Sequence, residues 1–340
     1  MLTMSAVIIC RDEERYIEKC LNSLINIFND IVVIDTGSKD RTRDILSKFQ
    51  ENIDLYSCEW NCDFSEIRNY GMALARHDWV IFIDADEVLL KNAGLELIIR
   101  NGVDILNAYC SDVLRITILD SPSNLLSTIP RIIKRSSGAY YYGSVHELIL
   151  AEDGTEKHAP VIPITFKHYG YQPYTQWVKG KFYRNISLLR RMLVQDRSVY
   201  RWKYFYVRNN ISNGLLSQRI FNESISLIDY VFSHSPESWG DGINLILKMM
   251  EVSKVKGNAN VIVFLYKRYR HLTVCNASFL FFINEMINIS ESNKYFICNN
   301  ISKVVLENDF NFEKSKNAHV ITSSGLCYYV SDLKGVAGVL

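Results

Sequence analysis

The stretch from Val80 to Leu90, VIFIDADEVLL, runs four apolar residues straight into Asp84, Asp86 and Glu87. Carboxylates in that place form either a solvated turn after a strand, where such residues are common, or a set of oxygen donors with a task. In an extended segment Asp84 and Asp86 point to the same side, because side chains alternate with period two. Two oxygen donors on one side suit a hard divalent cation, Mg or Mn, that keeps part of its water and bridges to phosphate. Other polar sets follow apolar runs in the same way: Arg11-Asp12-Glu13 after the first, Asp35-Thr36-Gly37-Ser38 after the second, and Asp63, Phe64, Ser65 and Arg68 in the third unit. Further on, SSGAYYYGSVHELIL places His146 and Glu147 after a glycine turn, and FKHYGY carries His168. Glu147 offers a general base with His146 as orienting or competing group; the bland alternative is polar decoration of a sheet edge. A neutral His168 can ligate a metal, or be an ordinary satisfied histidine.

The elements that must position these groups alternate in the first third of the chain. Ser5 to Cys10 reads as a short buried strand, and the stretch beginning Arg11 carries Tyr16, Ile17, Cys20, Leu21, Leu24 and Ile27 at helical spacing. Asp30 to Ser38 reads as a second strand closed by a Thr-Gly-Ser turn, followed by the helical KDRTRDILSKFQ. IDLYSCEW, the helical DFSEIRNYGMALAR and the strand WVIFIDAD complete the pattern. Strand and helix in alternation predict a parallel α/β sheet covered on both faces, whose strand ends form the ligand crevice. DVLRITIL and IPRIIKR read as further strands. Neither GxxxxGK[ST] nor GxGxxG occurs, so a P-loop and a dinucleotide fold have no support. What remains is a nucleotide held by carboxylates, with its phosphates handed to a metal.

Composition narrows the partners. The chain has 340 residues, 48% hydrophobic and 22% charged, enough to fill a sizeable core. Lys and Arg number 38 against 37 Asp and Glu, so no global basic field points to nucleic acid. The eight cysteines are scattered without CxxC spacing, which argues against a disulfide framework or zinc site. No run approaches the ~18 apolar residues of a membrane anchor, and the apolar start meets RDEER at once. These features predict a cytoplasmic enzyme.

VIICRDEERYIEKCLNSL, DIVVIDTGSKDRTRDI, EWNCDFSEIRNYGMALARHDWVIFIDADEVL, GSVHELI and HYGY, taken in order over about residues 4 to 175, resemble family-two glycosyltransferases of the type A fold. Among these the chain is most similar to the bacteriocin peptide S-/O-glycosyltransferases of the sublancin type. Where such enzymes often carry Asn-Glu after the first strand, this chain has Asp12-Glu13. The resemblance implies a Rossmann-like nucleotide-sugar-binding domain and inversion at the anomeric carbon by direct displacement. It implies that Asp35 holds the uracil or ribose of a UDP-sugar, UDP-glucose or similar, and that Asp63 and Arg68 frame the base and diphosphate. Arg11, Asp12 and Asp84 complete the donor-binding set. Asp84 and Asp86 become the Asp-x-Asp pair, Asp86 the direct ligand of a Mn or Mg ion, with His168 as a further candidate ligand. Glu147 becomes the leading base and His146 its neighbour.

From Tyr174 the character changes. A basic helix begins near Gln176, with Lys179, Lys181, Arg184, Arg190 and Arg191 facing either diphosphate, an acidic acceptor or solvent. Helical pairs then recur from Tyr200 to Phe232, Glu237 to Arg270 and Ala277 to Leu306, a spacing near that of tetratricopeptide units but a poor match to their residue pattern. The sequence therefore predicts a catalytic domain over residues 1–175 and an all-helical region over 176–340 that binds a peptide acceptor, makes a homodimer or buttresses the fold. Two alternatives stay open: an acceptor that is lipid-linked or polysaccharide, and a helical-repeat binding module with a degenerate catalytic domain. Against the last stands the intact set Asp35, Asp84, Asp86 and Glu147, since carboxylates crowded at strand ends repel one another without a cation.

Overall fold

The apolar run at the start of the chain forms β1 (Leu2–Cys10), and strand and helix then alternate through α1 (Ile17–Leu24), β2 (Phe28–Asp35), α2 (Thr42–Leu46), β3 (Asp54–Ser57), α3 (Phe64–Leu74) and β4 (Trp79–Asp84). β5 (Glu87–Leu89), α4 (Ala93–Asn101), α5 (Asp104–Asn107), β6 (Val113–Asp120), β7 (Leu126–Lys134), β8 (Tyr140–Tyr142), β9 (Leu148–Leu150), β10 (Val161–His168) and α6 (Thr175–Gln195) follow. The computed structural model describes residues 2–121, 124, 126–157, 159–170, 175–196, 199–235, 239–269, 319–321 and 327–329; of α6, the side chains are described from residue 180 onward, which leaves Lys179 outside. The chain divides into two compact units, Met1–Gln195 and Asp196–Leu340.

The main sheet of the first unit runs β3-β2-β1-β4-β7-β6-β10-β5. Its first four strands are parallel, as their alternation with helices requires. Beyond β4 the expected parallel sheet becomes mixed. β6 and β7 are joined by residues 121–125, too short for a crossover, so β7 returns antiparallel to β6 and lies antiparallel to β4. β10 is parallel to β6, and β5 closes the far edge antiparallel to β10.

Period-two alternation with both faces buried explains why the central strands are largely apolar. Ala6, Ile8, Ile81 and Ile83 join one core cluster with Ile17, Cys20, Leu21 and Leu24 of α1 and Leu95 and Ile98 of α4. Val7, Val80 and Phe82 turn to the opposite face, against Ile67 and Met72 of α3. Both faces are covered, so few polar residues occur before each strand leaves the core; buried Ser5 of β1 donates from Oγ to Asp30 Oδ2 of β2 at 2.5 Å. α1 is shorter than its spacing suggested, because Arg11 to Tyr16 form a loop pinned to the β2–α2 connection. Asp12 takes φ 56° there, its Oδ1 accepts from Lys39 N at 2.6 Å, and its own N donates to Ser38 Oγ at 2.9 Å.

The second unit contains α7 (Tyr200–Ser212), α8 (Gln218–His234), α9 (Trp239–Val255) and α10 (Ala259–Tyr269). These match the first two expected helical pairs; the third, Ala277 to Leu306, lies outside the described residues. The region is not all helical, since β11 (His319–Ile321) and β12 (Cys327–Tyr329) pair antiparallel. Trp202, Ile211, Ile228, Leu245, Met249 and Leu265 are buried among the helices. Among the described residues no helix is long and apolar enough to cross a membrane.

α3 reaches its seat through Gly71, where a β-carbon would lie 2.6 Å from Val7 Cγ1 and 3.0 Å from Ile34 Cδ1. Alanine in a helix gains ~1 kcal/mol over glycine, but overpacking against stiff β-branched neighbours costs ~1–3 kcal/mol. Gly71→Ala is therefore expected to lower the urea midpoint; a higher midpoint would contradict this packing.

Candidate active site

β4 delivers its last residue, Asp84, to the mouth of a cavity of about 750 Å³. The strand ends at Asp84 and Ala85-Asp86 form a turn, so the same-side placement does not come from strand alternation as expected. The turn nevertheless brings both carboxylates to the cavity wall.

Asp84 is gripped by arginine. β7 pairs Ile132 with Ile81, which carries Arg131 alongside the end of β4. Arg131 donates from Nη1 to Asp84 Oδ1 at 2.8 Å and from Nη2 to Oδ2, and its Nη2 also reaches Glu87 Oε1 at 3.5 Å. Glu87 closes the turn by accepting from Asp84 N at 2.9 Å. On the other side Arg68, one turn along α3 from Phe64, places Nη2 3.5 Å from Asp84 Oδ1 and donates from Nε to Glu147 Oε1 at 3.1 Å. Its guanidinium sits beside the edge-to-face pair of Phe82 and Tyr141, 5.5 and 5.3 Å from their ring centroids. The result is one chain of alternating charge: Glu87, Arg131, Asp84, Arg68, Glu147.

The charges act on one another as this order dictates. Burial alone would raise the Asp84 carboxyl, but the Arg131 and Arg68 guanidiniums outweigh it and hold it well below the usual range. Glu87 is pushed up to about 7 by burial and by Asp84 and Asp86, against the pull of Arg131. Glu13, at the exit of β1, is pushed up to about 8 by burial and by Asp86, with Lys181 opposing.

His168 ends β10, in register with Asp120 of β6 on one side and Glu87 of β5 on the other. Its Nδ1 is 2.8 Å from Asp120 Oδ1 and its Nε2 is 3.4 Å from Asp86 Oδ2. Burial would lower this imidazole, but the two carboxylates prevail and raise it to about 9. Gly170 passes so close that a β-carbon there would overlap Asp86 Oδ2 and His168 Nε2. Among the described residues no three His, Cys, Asp or Glu side chains converge as a ready metal cage. An oxygen and an imidazole nitrogen facing each other, in surroundings rich in carboxylate, are nonetheless donors that fit a divalent cation. In this arrangement Asp84 is bound to arginine instead.

The other expected residues divide. Arg11, Asp12, Arg68, His146 and Glu147 line the same cavity, with His146 in the left-handed region at φ 54°. Asp35 and Asp63 do not line it. Asp35 is 1% exposed; Oδ1 accepts from Ser38 N at 3.0 Å and Oδ2 from Arg43 Nε at 2.5 Å. It thereby fixes Arg43 on the wall of a second cavity of about 470 Å³, which shares Arg11, Thr36 and Trp60 with the first. Asp63 caps α3, accepting from Glu66 N at 3.2 Å, and is bonded by Ser65 Oγ at 2.6 Å and Ser144 Oγ at 2.8 Å. Burial pushes its carboxyl up, but these bonds hold it below its usual value. Arg131, Asp120 and Trp60 were not singled out from the sequence. The signal that could have found Arg131 is a cation set inside the apolar stretch Ile129 to Ile133.

Residues 5–106 match the model of the family described as Glycosyl transferase family 2. The chain is 30% identical over 207 residues to the SPbeta prophage-derived glycosyltransferase SunS of Bacillus subtilis, covering 61% of this chain and 49% of that protein. It is 32% identical over 182 residues to a TPR repeat-containing protein of Synechococcus elongatus, covering 50% and 43%. The chain thus spans about half the length of the curated relatives it matches. Among solved structures, S. aureus TarS 1-349 in complex with UDP-GlcNAc aligns at 13% identity and a TM-score of 0.40, covering 97% of this chain and 96% of that one.

Removing Arg131 tests the charge chain. Deleting one partner of a fully buried pair costs ~3–5 kcal/mol; with Asp84 42% exposed and screened by water, Arg131→Met should cost a lower ~1–3 kcal/mol near pH 8. Without the cation both Asp84 and Glu87 acquire higher folded-state pKa values. A carboxyl raised in the folded state favours folding below its unfolded pKa and loses that contribution as pH rises through the folded value. The deficit against wild type should therefore narrow toward pH 5. Urea melts across that range read it, and a deficit that does not vary with pH would contradict the assignment.

Proposed function

We propose that this chain, which carries a glycosyltransferase family 2 domain over residues 5–106, is a metal-dependent inverting glycosyltransferase that moves a hexose from a nucleoside diphosphate donor, UDP-glucose or similar, to a Cys or Ser side chain of a peptide. The observation that carries this reading is the convergence of Asp84, Asp86, His168 and Glu147 on one cavity at the strand ends of an α/β sheet. The motif resemblance to sublancin-type peptide glycosyltransferases supports the peptide acceptor, and the identity with the glycosyltransferase SunS supports glycosyl transfer.

In this mechanism the acceptor oxygen or sulfur attacks C1 of the sugar. The C1–O bond to phosphate breaks, its electron pair leaves with the nucleoside diphosphate, and Glu147 takes the acceptor proton. Arg68 holds Glu147 by one oxygen and leaves Oε2 for that proton. Arg131 fixes Asp84 at the cavity mouth, and the Asp84 side chain, 42% exposed, keeps acceptor capacity toward the donor. Asp86 and His168 would hold the divalent cation, with Asp120 orienting the imidazole from its far side. When bound, such a cation neutralises the charge that develops on the departing phosphates. Asp35 shapes the nucleoside end through Arg43, and the helical unit is assigned to capture of the acceptor or to self-association.

The test is incubation of the protein with a panel of nucleotide sugars, Mn and Cys- or Ser-bearing peptides, measuring nucleoside diphosphate release and peptide mass. Release from at least one donor that stops in EDTA is expected; full activity in EDTA would remove the metal. Transfer to a glycan or lipid-linked acceptor, with none to peptide, would replace the acceptor class. Asp86→Ala should lower turnover far more than it lowers the urea midpoint.

The base is tested separately. General-base assistance is worth ~10²–10⁴-fold, so Glu147→Gln should slow transfer to a Ser acceptor at least tenfold while donor affinity stays near wild type. A thiol, with a pKa of ~8.5, supplies some thiolate unaided. A Cys acceptor should lose less, and the gap should close as pH rises. An unchanged rate on Ser would move the base elsewhere.

A further inference from the structure

Three arginines line the larger cavity, and they are not equivalent. Arg68 is held between Asp84 and Glu147, as described above. Arg11 reaches no carboxylate closer than Asp12, 4.0 Å away, and its side chain is 45% exposed. Arg184, on α6, spends Nε and Nη2 on the neutral amide oxygen of Asn185 at 3.2 and 3.1 Å and rests over the Phe64 ring, 5.1 Å from its centroid. Among the described residues no ion pair holds it. Burial, and then the like charge of Arg11, depress its guanidinium below the ordinary value, so the two cations feel one another across the cavity. Two guanidiniums facing the same space without a shared carboxylate are arranged for an anion that enters it.

Position says which anion. Arg11 belongs to both cavities, together with Thr36 and Trp60, and so stands at the waist between them. The second cavity, beyond that waist, is lined by Arg43, Ser57 and Cys58; the first holds Asp84, Asp86 and Glu147. In a nucleotide sugar the two phosphates lie between nucleoside and sugar, where the waist opens into the larger cavity. We propose that Arg11 and Arg184 form a two-arginine clamp on the diphosphate, Arg11 on the nucleoside-side phosphate and Arg184 on the sugar-side phosphate, which becomes the leaving group. This assignment rests on the nucleotide-sugar reading of the site. It adds that diphosphate is gripped by protein cations independently of any metal.

The test is isothermal titration of the full chain in EDTA with inorganic pyrophosphate and, separately, with UDP. Pyrophosphate carries the group the clamp recognises without base or sugar. Wild type should bind both. Arg184→Gln and Arg11→Gln should each weaken pyrophosphate by about 10-fold or more, as loss of a charge-assisted hydrogen bond to phosphate implies, while Arg184→Lys restores only part because an ammonium cannot fork. Arg219→Gln, removing an exposed cation paired with Glu223 on α8, should change nothing. Pyrophosphate affinity unchanged in both glutamine variants, or absent from wild type, would overturn the clamp. UDP binding that survives unaltered in those variants would overturn the clamp and leave the nucleotide reading standing. Pyrophosphate binding without UDP binding would support the clamp and count against the nucleotide.

Discussion

The bidentate grip of Arg131 on Asp84 is the contact on which the site depends. Arg131 holds the Asp84 carboxyl well below its usual range beside Glu87 and Asp86, and the charge of the buried Arg131 is offset in turn by Asp84 and Glu87. Each makes the other tolerable. Because Arg68 extends the same alternation to Glu147, residues from α3, β4, β7 and the loop before β9 are drawn to one place. The fold serves this: antiparallel β7 beside β4 brings Arg131 to the strand end, and the parallel strands on the other side of β4 bring Arg11, Asp12 and Glu13.

The same contact constrains chemistry. An Asp84 carboxylate engaged on both oxygens by guanidinium groups is a poor nucleophile, because its charge is already neutralised. Glu147, held by one oxygen from Arg68, is better suited to take a proton than to attack carbon. A site so arranged favours displacement in one step over a covalent intermediate. His168, with Asp120 behind it and Asp86 before it, is fixed by strand register and is independent of the arginine chain. His168 and Glu147 are thus positioned by different elements, the end of β10 and the loop before β9.

Much of this was legible in the sequence, for a definite reason. A strand that ends in a carboxylate announces itself by its apolar run, so Asp84 and Asp86 could be placed in a crevice before any coordinates, and Glu147 and His168 joined them through the quoted motifs. What pairing over long sequence distance decides was not legible. Arg131 meets Asp84 across 47 residues and Asp120 meets His168 across 48, and nothing local marks either contact. The local partners of Asp35 and Asp63 were not legible either: Ser38 and Arg43 donate to Asp35, and Ser65, Glu66 and Ser144 to Asp63. The mixed half of the sheet was likewise hidden, because short β6–β7 chain reversal and parallel crossover share the same strand-like residues.

The proposed reaction is a single displacement with Glu147 as base. The configuration of the transferred sugar reports this directly. Wild-type protein, an α-linked nucleotide hexose, Mn and a Ser- or Cys-bearing peptide should yield a β-linked hexose, read from the anomeric proton coupling by NMR. An α-linked product, with the donor's configuration retained, would contradict it.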